Sequence, residues 1–219
     1  MLTQEQDEII IGAMLGDASA EYNSSACRIR FDHSIKQEDY VRWLAKKLEP
    51  YSGLVTSYGD PDKRTNKTYS KIRFYTKTND IFTKYRNMFY TDPTRGPKDT
   101  VPNNIKDLIS KKLTLVVWYL DDGSKRTYSN AYRLHVECFP SSVVNQLRCA
   151  LRTHYGIESK PHSHKNISTE SVEKELIDPE NEKGFIIHIG SRYDNAKKLN
   201  AAIKDYVALE IPSMLFKFF

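Results

Sequence analysis

The sequence of 219 residues lacks any run of about 20 apolar residues, the length that a membrane-spanning helix needs. Cysteine is scarce, and Cys27, Cys138 and Cys149 are too widely spaced for a disulfide framework or a Cys-x-x-Cys metal pair. The first residues are acidic, unlike a basic signal or transit sequence. We therefore expect an intracellular protein in a reducing compartment, with no membrane partner.

The sequence also lacks an even distribution of acidic residues. The formal net charge is +5, but the segment 166–183 holds six acidic residues against two lysines. The rest of the chain has 31 basic and 22 acidic residues, a balance of +9. A positive surface of this kind favours a polyanionic partner such as a nucleic acid. We expect the acidic segment to be an insertion that the activity does not need.

Two strongly apolar helices are predicted, one near the start of each half of the chain. Thr3 and Gln6 have the spacing of a capping box, and the apolar run Ile9–Leu15 follows them. A second run, Leu113–Leu120, has the same character. Because both runs are apolar nearly all round, both helices should be buried on most faces.

These helices begin an internal repeat. Asp17 and Asp122 follow the two runs and are 105 residues apart, close to half the chain. Amphipathic helices recur at an offset of 103, at Tyr40–Leu48 and Val143–Leu151. The order helix, strands, helix, strands, helix appears twice, which indicates a duplication.

The predicted strands alternate polar and apolar residues. Arg28 and Arg30 lie on one face of a strand, and Ile29 and Phe31 lie on the other. An ordinary solvated sheet face would give the same alternation, but it mixes the two signs of charge more evenly. We therefore predict that the polar faces bind nucleic acid, with arginines reading bases and many lysines contacting phosphates only. The predicted contact residues are Arg28, Arg30, Lys71, Arg73, Lys125, Arg126, Arg133, His135, His188 and Arg192.

Asp17 and Asp122 lie where a carboxylate is unfavourable. The helix dipole is negative at the C-terminus, and an acid there costs about 0.3–1 kcal/mol. One such aspartate would be an ordinary turn residue, but the recurrence at the half-chain repeat indicates a function. If the two helices pack side by side, the aspartates form an oxygen-rich site of the kind that Mg²⁺ prefers. Such a site suits metal-assisted phosphodiester hydrolysis without a protein nucleophile.

At these residues the sequence resembles the LAGLIDADG homing endonucleases. Residues 10–18 and 115–123 are similar to the two motif copies of single-chain members of that family. The resemblance implies an α+β fold with two pseudo-symmetric αββαββα halves, at residues 1–105 and 106–219. The motif helices would pack at the centre, and the antiparallel sheets would form a DNA-binding saddle. It further implies a monomer that makes metal-dependent double-strand breaks with 3′ overhangs at long sites, as in intron homing.

The resemblance also implies a metal site. Asp17 and Asp122 correspond to the acidic ligands, while Gly16 and Asp121 can contribute backbone carbonyls. Mg²⁺ is the expected cofactor, and Ca²⁺ is expected to support DNA binding without cleavage.

A basic residue near the active site is implied for each half. The ending Ile211–Lys217 is similar to the I-P-x-M-x-[YF]-K ending of one subgroup, which points to Lys217. In the first half Asp99 stands where the base is expected, so Lys98 is the candidate. The first motif supplies small residues for close helix packing, Gly12 and Ala13, whereas the second has bulky Val117 and Trp118, which predicts an asymmetric helix interface.

Two other functions fit the same residues. An RNA maturase or DNA-binding regulator on this scaffold would keep the acids without cutting DNA, and its partner would include the host intron RNA. An unrelated metal-dependent phosphatase would use the Asp121-Asp122-Gly123 turn on small phosphate esters. The phosphatase hypothesis leaves the duplicated basic strands without a role.

Overall fold

A computed structural model of the chain describes residues 1–62, 64, 66–163 and 184–219. The acidic segment 166–183 lies outside the described residues, so its predicted dispensability stays a prediction. Among the helices in the described ranges, none combines the length and apolarity required to cross a membrane.

The two halves of the chain repeat one order of elements, as the sequence predicts. The first half contains α1 (Gln4–Leu15), β1 (Ser19–Asn23), β2 (Ala26–Ser34), α2 (Glu38–Lys47), β3 (Thr56–Asp62), β4 (Lys67–Tyr75) and α3 (Thr83–Phe89). The second half contains α4 (Ile105–Ile109), α5 (Lys112–Asp122), β5 (Gly123–Lys125), β6 (Tyr132–His135), α6 (Ser141–Tyr155), β7 (Lys160–Ser163), β8 (Phe185–Ile189) and α7 (Asn195–Glu210).

Each half forms one antiparallel sheet of four strands. The strand orders are β1-β2-β4-β3 and β5-β6-β8-β7, so the sheets are built in the same way. Ser19 pairs with Arg30 in the first sheet, and Ser124 pairs with Arg133 in the second. This register makes Arg30 and Arg133 equivalent positions. The α+β fold with two pseudo-symmetric αββαββα halves is confirmed.

The helix α1 starts and ends where the sequence predicts. The Thr3 side chain accepts a hydrogen bond from the Gln6 backbone N–H, and the Gln6 side-chain oxygen accepts one from the Thr3 backbone N–H. These two hydrogen bonds complete the capping box. The helix ends at the C-cap Gly16. Every residue from Ile9 to Leu15 is buried, because this part of the helix is apolar on all faces.

The helices α1 and α5 pack against each other in the centre of the molecule, where they belong to one hydrophobic core shared by both halves. The contact depends on Gly12. A Cβ atom at this position would lie 2.6 Å from the carbonyl oxygen of Thr114 and 2.8 Å from Cβ of Val117. The missing side chain of Gly12 thus accommodates bulky Val117, as the predicted asymmetry of the interface requires.

One element was not anticipated from the sequence. The short helix α4 precedes α5, and its isoleucines Ile105 and Ile109 are buried. The sequence of this segment is too short to show an apolar periodicity, so the helix is recognised only from the packing of its buried residues. The proposed division between residues 105 and 106 falls within this helix and stays a prediction.

Candidate active site

The motif helices end at the two predicted catalytic aspartates. Asp17 follows the C-cap of α1, and its side chain is 48% exposed. Asp122 is the last residue of α5. Burial raises the pKa of Asp122 well above its usual value, and the nearby carboxylates of Asp17 and Asp121 raise it further. Three carboxylates therefore converge where the two helices end.

The Asp121 side chain is the most buried of the three carboxylates. Its Oδ1 accepts a hydrogen bond of 2.6 Å from the Tyr40 hydroxyl, and its Oδ2 accepts one of 3.3 Å from the backbone N–H of Asp17. Gly16 makes room for it, since a Cβ at Gly16 would lie 2.3 Å from Cβ of Asp121. Burial raises the pKa of Asp121 to about 6, and His33 opposes that rise.

The His33 side chain lies between two of these acids and is 1% exposed. Its Nδ1 is 3.5 Å from Oδ2 of Asp17, and its Nε2 is 3.9 Å from Oδ1 of Asp121. Neither ring nitrogen has a hydrogen-bond partner within the described ranges. The ring also packs edge-on against Tyr40, with 5.4 Å between the ring centroids.

Sequence reasoning missed Tyr40, His33 and the side chain of Asp121. One signal for His33 was available: it continues the inward row of Ile29 and Phe31 in β2, where a polar residue is out of place. A second signal was Asp121 itself, because the first motif has Gly16 at the equivalent position.

Lys217 is buried at the end of α5. Its Nζ donates hydrogen bonds to the carbonyl oxygens of Leu120 at 2.6 Å, Gly123 at 2.9 Å and Asp121 at 3.1 Å. Burial lowers the pKa of Lys217, while Asp121, among the nearby acids, acts to raise it. An ammonium group here satisfies carbonyls that the end of the helix leaves without partners.

Lys98 makes the equivalent contacts in the first half, although it stands one residue before the expected position. Its Nζ donates to the carbonyl oxygens of Gly16 and of Ala18, the latter at 3.1 Å. These positions lie 105 residues before Asp121 and Gly123, the offset of the internal repeat. The structure thus brings both predicted lysines to the ends of the motif helices, in a pseudo-symmetric pair.

The donor set at the helix ends consists of oxygen atoms, which suits a hard divalent cation. The carbonyls of Gly16 and Asp121 already accept from lysine, but a carbonyl oxygen has a second lone pair. Within the part of the chain that the structure describes, no group of three or more His, Cys, Asp or Glu side chains is arranged to hold a metal ion. The two aspartates therefore fit a cation whose coordination is completed by carbonyls, water or a bound phosphate.

The polar face of the first sheet carries cations that are held by neighbouring side chains. Arg28 and Arg30 form ion pairs with Glu21, at 3.5 and 3.1 Å. The guanidinium of Arg73 lies 4.2 Å from the ring centroid of Tyr58. Lys71 pairs with an aspartate of β3, Asp60, at 2.8 Å. All four residues lie on the predicted face, and these contacts limit their freedom before any ligand binds.

The second sheet places Arg133 directly beside His188 on the equivalent face. Burial, together with the nearby His162 and two arginines, lowers the pKa of His188 to about 4, so its ring is neutral at pH 7. A cavity of about 1150 Å³ opens beside it, and Arg126 and Arg192 are among the lining residues.

The remaining two predicted contact residues of this sheet have protein partners. The Lys125 ammonium donates to the carbonyl of Phe218 at 2.9 Å. The ring of His135 contacts Ser124 at 3.2 Å and Glu137 at 3.1 Å. The predicted DNA contacts of all ten residues stay predictions.

Two apolar helices that end at paired carboxylates, each followed by a four-stranded antiparallel sheet that carries cationic side chains on its polar face, define a protein with a duplicated LAGLIDADG motif. The chain belongs to the LAGLIDADG DNA endonuclease family, whose model matches residues 7–175. This match confirms the resemblance that the two motif copies carry.

Individual relatives include an endonuclease and a maturase. The chain is 30% identical over 168 residues to DNA endonuclease I-ChuI of Chlamydomonas applanata, with 72% of this chain and 76% of that protein covered. It is 28% identical over 166 residues to the cytochrome b mRNA maturase bI2 of Debaryomyces hansenii, with 74% of this chain and 61% of that protein covered. The solved structure of the homing endonuclease I-WcaI bound to its DNA recognition sequence has the same fold. Its TM-score is 0.78 at 19% identity, over all of this chain and 88% of that one.

Proposed function

We propose that the protein is a site-specific DNA endonuclease that makes divalent-metal-dependent double-strand breaks at a long recognition site, as in intron homing. It would act as a monomer, with one half (residues 1–105 and 106–219) on each side of the cut, and leave 3′ overhangs. The observation that carries the proposal is the convergence of Asp17 and Asp122 at the ends of two packed helices. The carboxylates of Asp17 and Asp121 lie close enough to Asp122 to raise its pKa further after burial, and a bound cation would offset this repulsion between like charges.

The residues that would hold Mg²⁺ are Asp17 and Asp122, assisted by the backbone carbonyls of Gly16 and Asp121. When bound, the ion would supply Lewis-acid chemistry and lower the pKa of a coordinated water. The chain itself contributes the fixed negative charge of the aspartates and their rigid placement on two buried helices. No side-chain nucleophile is required.

Lys98 and Lys217 would contribute positive charge close to the scissile phosphates. Their ammonium groups lie at the helix ends, held by carbonyl oxygens, so they need no reorganisation when charge develops in the transition state. The partial burial of Lys98 and the burial of Lys217 strengthen this effect, because electrostatic interactions are weakly screened away from water.

The polar sheet faces would bind the DNA duplex. Residues whose guanidinium groups are already held, such as Arg28 over Tyr75 at 3.9 Å and Arg73 over Tyr58, lose little side-chain entropy on binding a base. Arginine reads guanine through O6 and N7 in the major groove. Lysines on the same faces would contribute phosphate contacts that carry no sequence information.

The test uses a DNA duplex that joins the two flanks of the insertion site of the gene. Purified protein with Mg²⁺ should cut both strands and leave 3′ overhangs, and with Ca²⁺ it should bind without cutting. Asp17→Asn and Asp122→Asn should abolish double-strand cleavage and leave binding in Ca²⁺ largely intact. Unchanged cleavage in both variants would refute the metal assignment.

A second candidate function is RNA maturation or regulation by DNA binding without cleavage. The similarity to a cytochrome b mRNA maturase favours it. Binding to the duplex in both metals without cuts, together with accelerated splicing of the host intron RNA, would support this alternative.

A further inference from the structure

The pseudo-symmetry of the molecule fails at one place in the active site. Asp121, which holds the backbone N–H of Asp17, has Gly16 as its counterpart in the first half. Gly16 has no side chain that could accept a hydrogen bond from the backbone N–H of Asp122 in the same way. The two candidate metal ligands therefore have chemically different surroundings.

The residues that support Asp121 are asymmetric as well. Tyr40 is the third residue of α2, and its counterpart in α6 is Val143. The register of the sheets makes Val136 the counterpart of His33. Neither valine can donate or accept a hydrogen bond, so the second half has no equivalent of this polar cluster.

The contacts of the cluster all lead to Asp17. Tyr40 fixes Oδ1 of the Asp121 carboxylate at 2.6 Å, and the other oxygen, Oδ2, is left to receive the Asp17 N–H. His33 lies 3.5 Å from the carboxylate of Asp17 itself and has no hydrogen-bond partner within the described ranges. Burial of a carboxylate and of an imidazole costs free energy of folding, so their presence here indicates a function.

We propose that Tyr40, His33 and the Asp121 side chain form a positioning cluster that fixes Asp17 but not Asp122. Cleavage of one DNA strand therefore depends more strongly on this cluster than cleavage of the other strand does. The inference depends on the proposed endonuclease function. Tyr40 and His33 act through the aspartates and do not touch the DNA. Loss of the cluster should disturb one half of the active site more than the other.

The test compares Tyr40→Phe with wild type on a duplex whose strands carry different fluorophores. Misplacement of a catalytic group by about 1 Å can cost on the order of 100-fold in rate, so we expect nicking of one strand to slow about ten-fold more than nicking of the other. Loss of a residue that supports a metal ligand typically costs 10–100-fold in metal affinity. The Ca²⁺ concentration that half-saturates DNA binding should therefore rise about ten-fold, a readout that needs no cleavage.

Tyr85→Phe is the matched control. Its hydroxyl also donates to a carboxylate, Oδ1 of Asp7 at 2.5 Å, but Asp7 lies at the opposite end of α1. This variant should leave both the strand ratio and the Ca²⁺ requirement unchanged. His33→Gln provides a second variant of the cluster if Tyr40→Phe does not fold.

Several outcomes would decide the inference. Equal slowing of both strands, or an unchanged Ca²⁺ requirement in a folded variant, would overturn it while wild-type cleavage still supported the endonuclease. If wild type cut no duplex, the proposed function would fail, and the Ca²⁺ requirement of DNA binding would decide the positioning role alone.

Discussion

Replacement of Gly12 by alanine tests how closely the two motif helices pack. The added Cβ would lie 2.6 Å from the carbonyl oxygen of Thr114 and 2.8 Å from Cβ of Val117. Carbon atoms in contact prefer about 3.5–4.0 Å, so the helices α1 and α5 would have to separate by roughly 1 Å. Neither neighbour can rotate away, because one atom belongs to the backbone and the other is bonded to it.

Two opposing effects determine the magnitude for Gly12→Ala. Overpacking of a well-packed core costs about 1–3 kcal/mol, and the upper part of this range applies because backbone atoms must move. Alanine is about 1 kcal/mol more favourable than glycine within a helix. We therefore expect the variant to lose about 1–2 kcal/mol of its free energy of unfolding.

Urea unfolding measures this difference. With a denaturant slope of roughly 2–3 kcal/mol/M for a chain of this size, the midpoint should fall by about 0.5 M. Ala201→Gly, at an exposed position inside α7, calibrates the helix propensity term in the same protein. A Gly12→Ala variant as stable as wild type, or more stable, would refute the reasoning that the helices are in contact through this glycine.

Three further predictions concern single side chains. Lys217→Met should lower the free energy of unfolding by about 2–4 kcal/mol in urea, because three carbonyl oxygens lose a charged donor. The pKa of His188 is lowered from 6.5 to about 4 in the folded protein, so the unfolded chain binds more protons between these values. Stability should therefore fall as the pH drops through this window, and His188→Gln should make the pH dependence shallower. Arg192→Ala should reduce the salt slope of DNA binding by about one if this side chain contacts a phosphate, as measured by binding titrations at several salt concentrations.

Features that depend on neighbours along the chain could be predicted from the sequence. The capping box of α1, the apolar run that follows it and the aspartate at its end are contained within about four turns of helix. The alternation in β2 assigned Arg28 and Arg30 to the polar face, because successive side chains of a strand point to opposite sides. The internal repeat makes Asp17 and Asp122 equivalent positions, 105 residues apart.

Features that depend on contacts across the chain could not be predicted in this way. Tyr40 and Asp121 are 81 residues apart, and nothing in the local sequence of either indicates a hydrogen bond between them. The equivalence of Lys98 and Lys217 was obscured by a shift of one residue, which the loop before α4 absorbs so that the ammonium still reaches the end of α1.

The repeat, the motif helices and the polar faces of the sheets thus follow from the order of residues along the chain, since periodicity and capping are local properties. The identity of the side chains around each aspartate depends instead on how the helices and sheets pack. Close packing of α1 on α5 places Asp121 in the space left by Gly16, and from there its carboxylate reaches across to the other half of the molecule. The asymmetry of the active site follows from that packing, because hydrogen bonds form only between groups that the fold brings within about 3 Å.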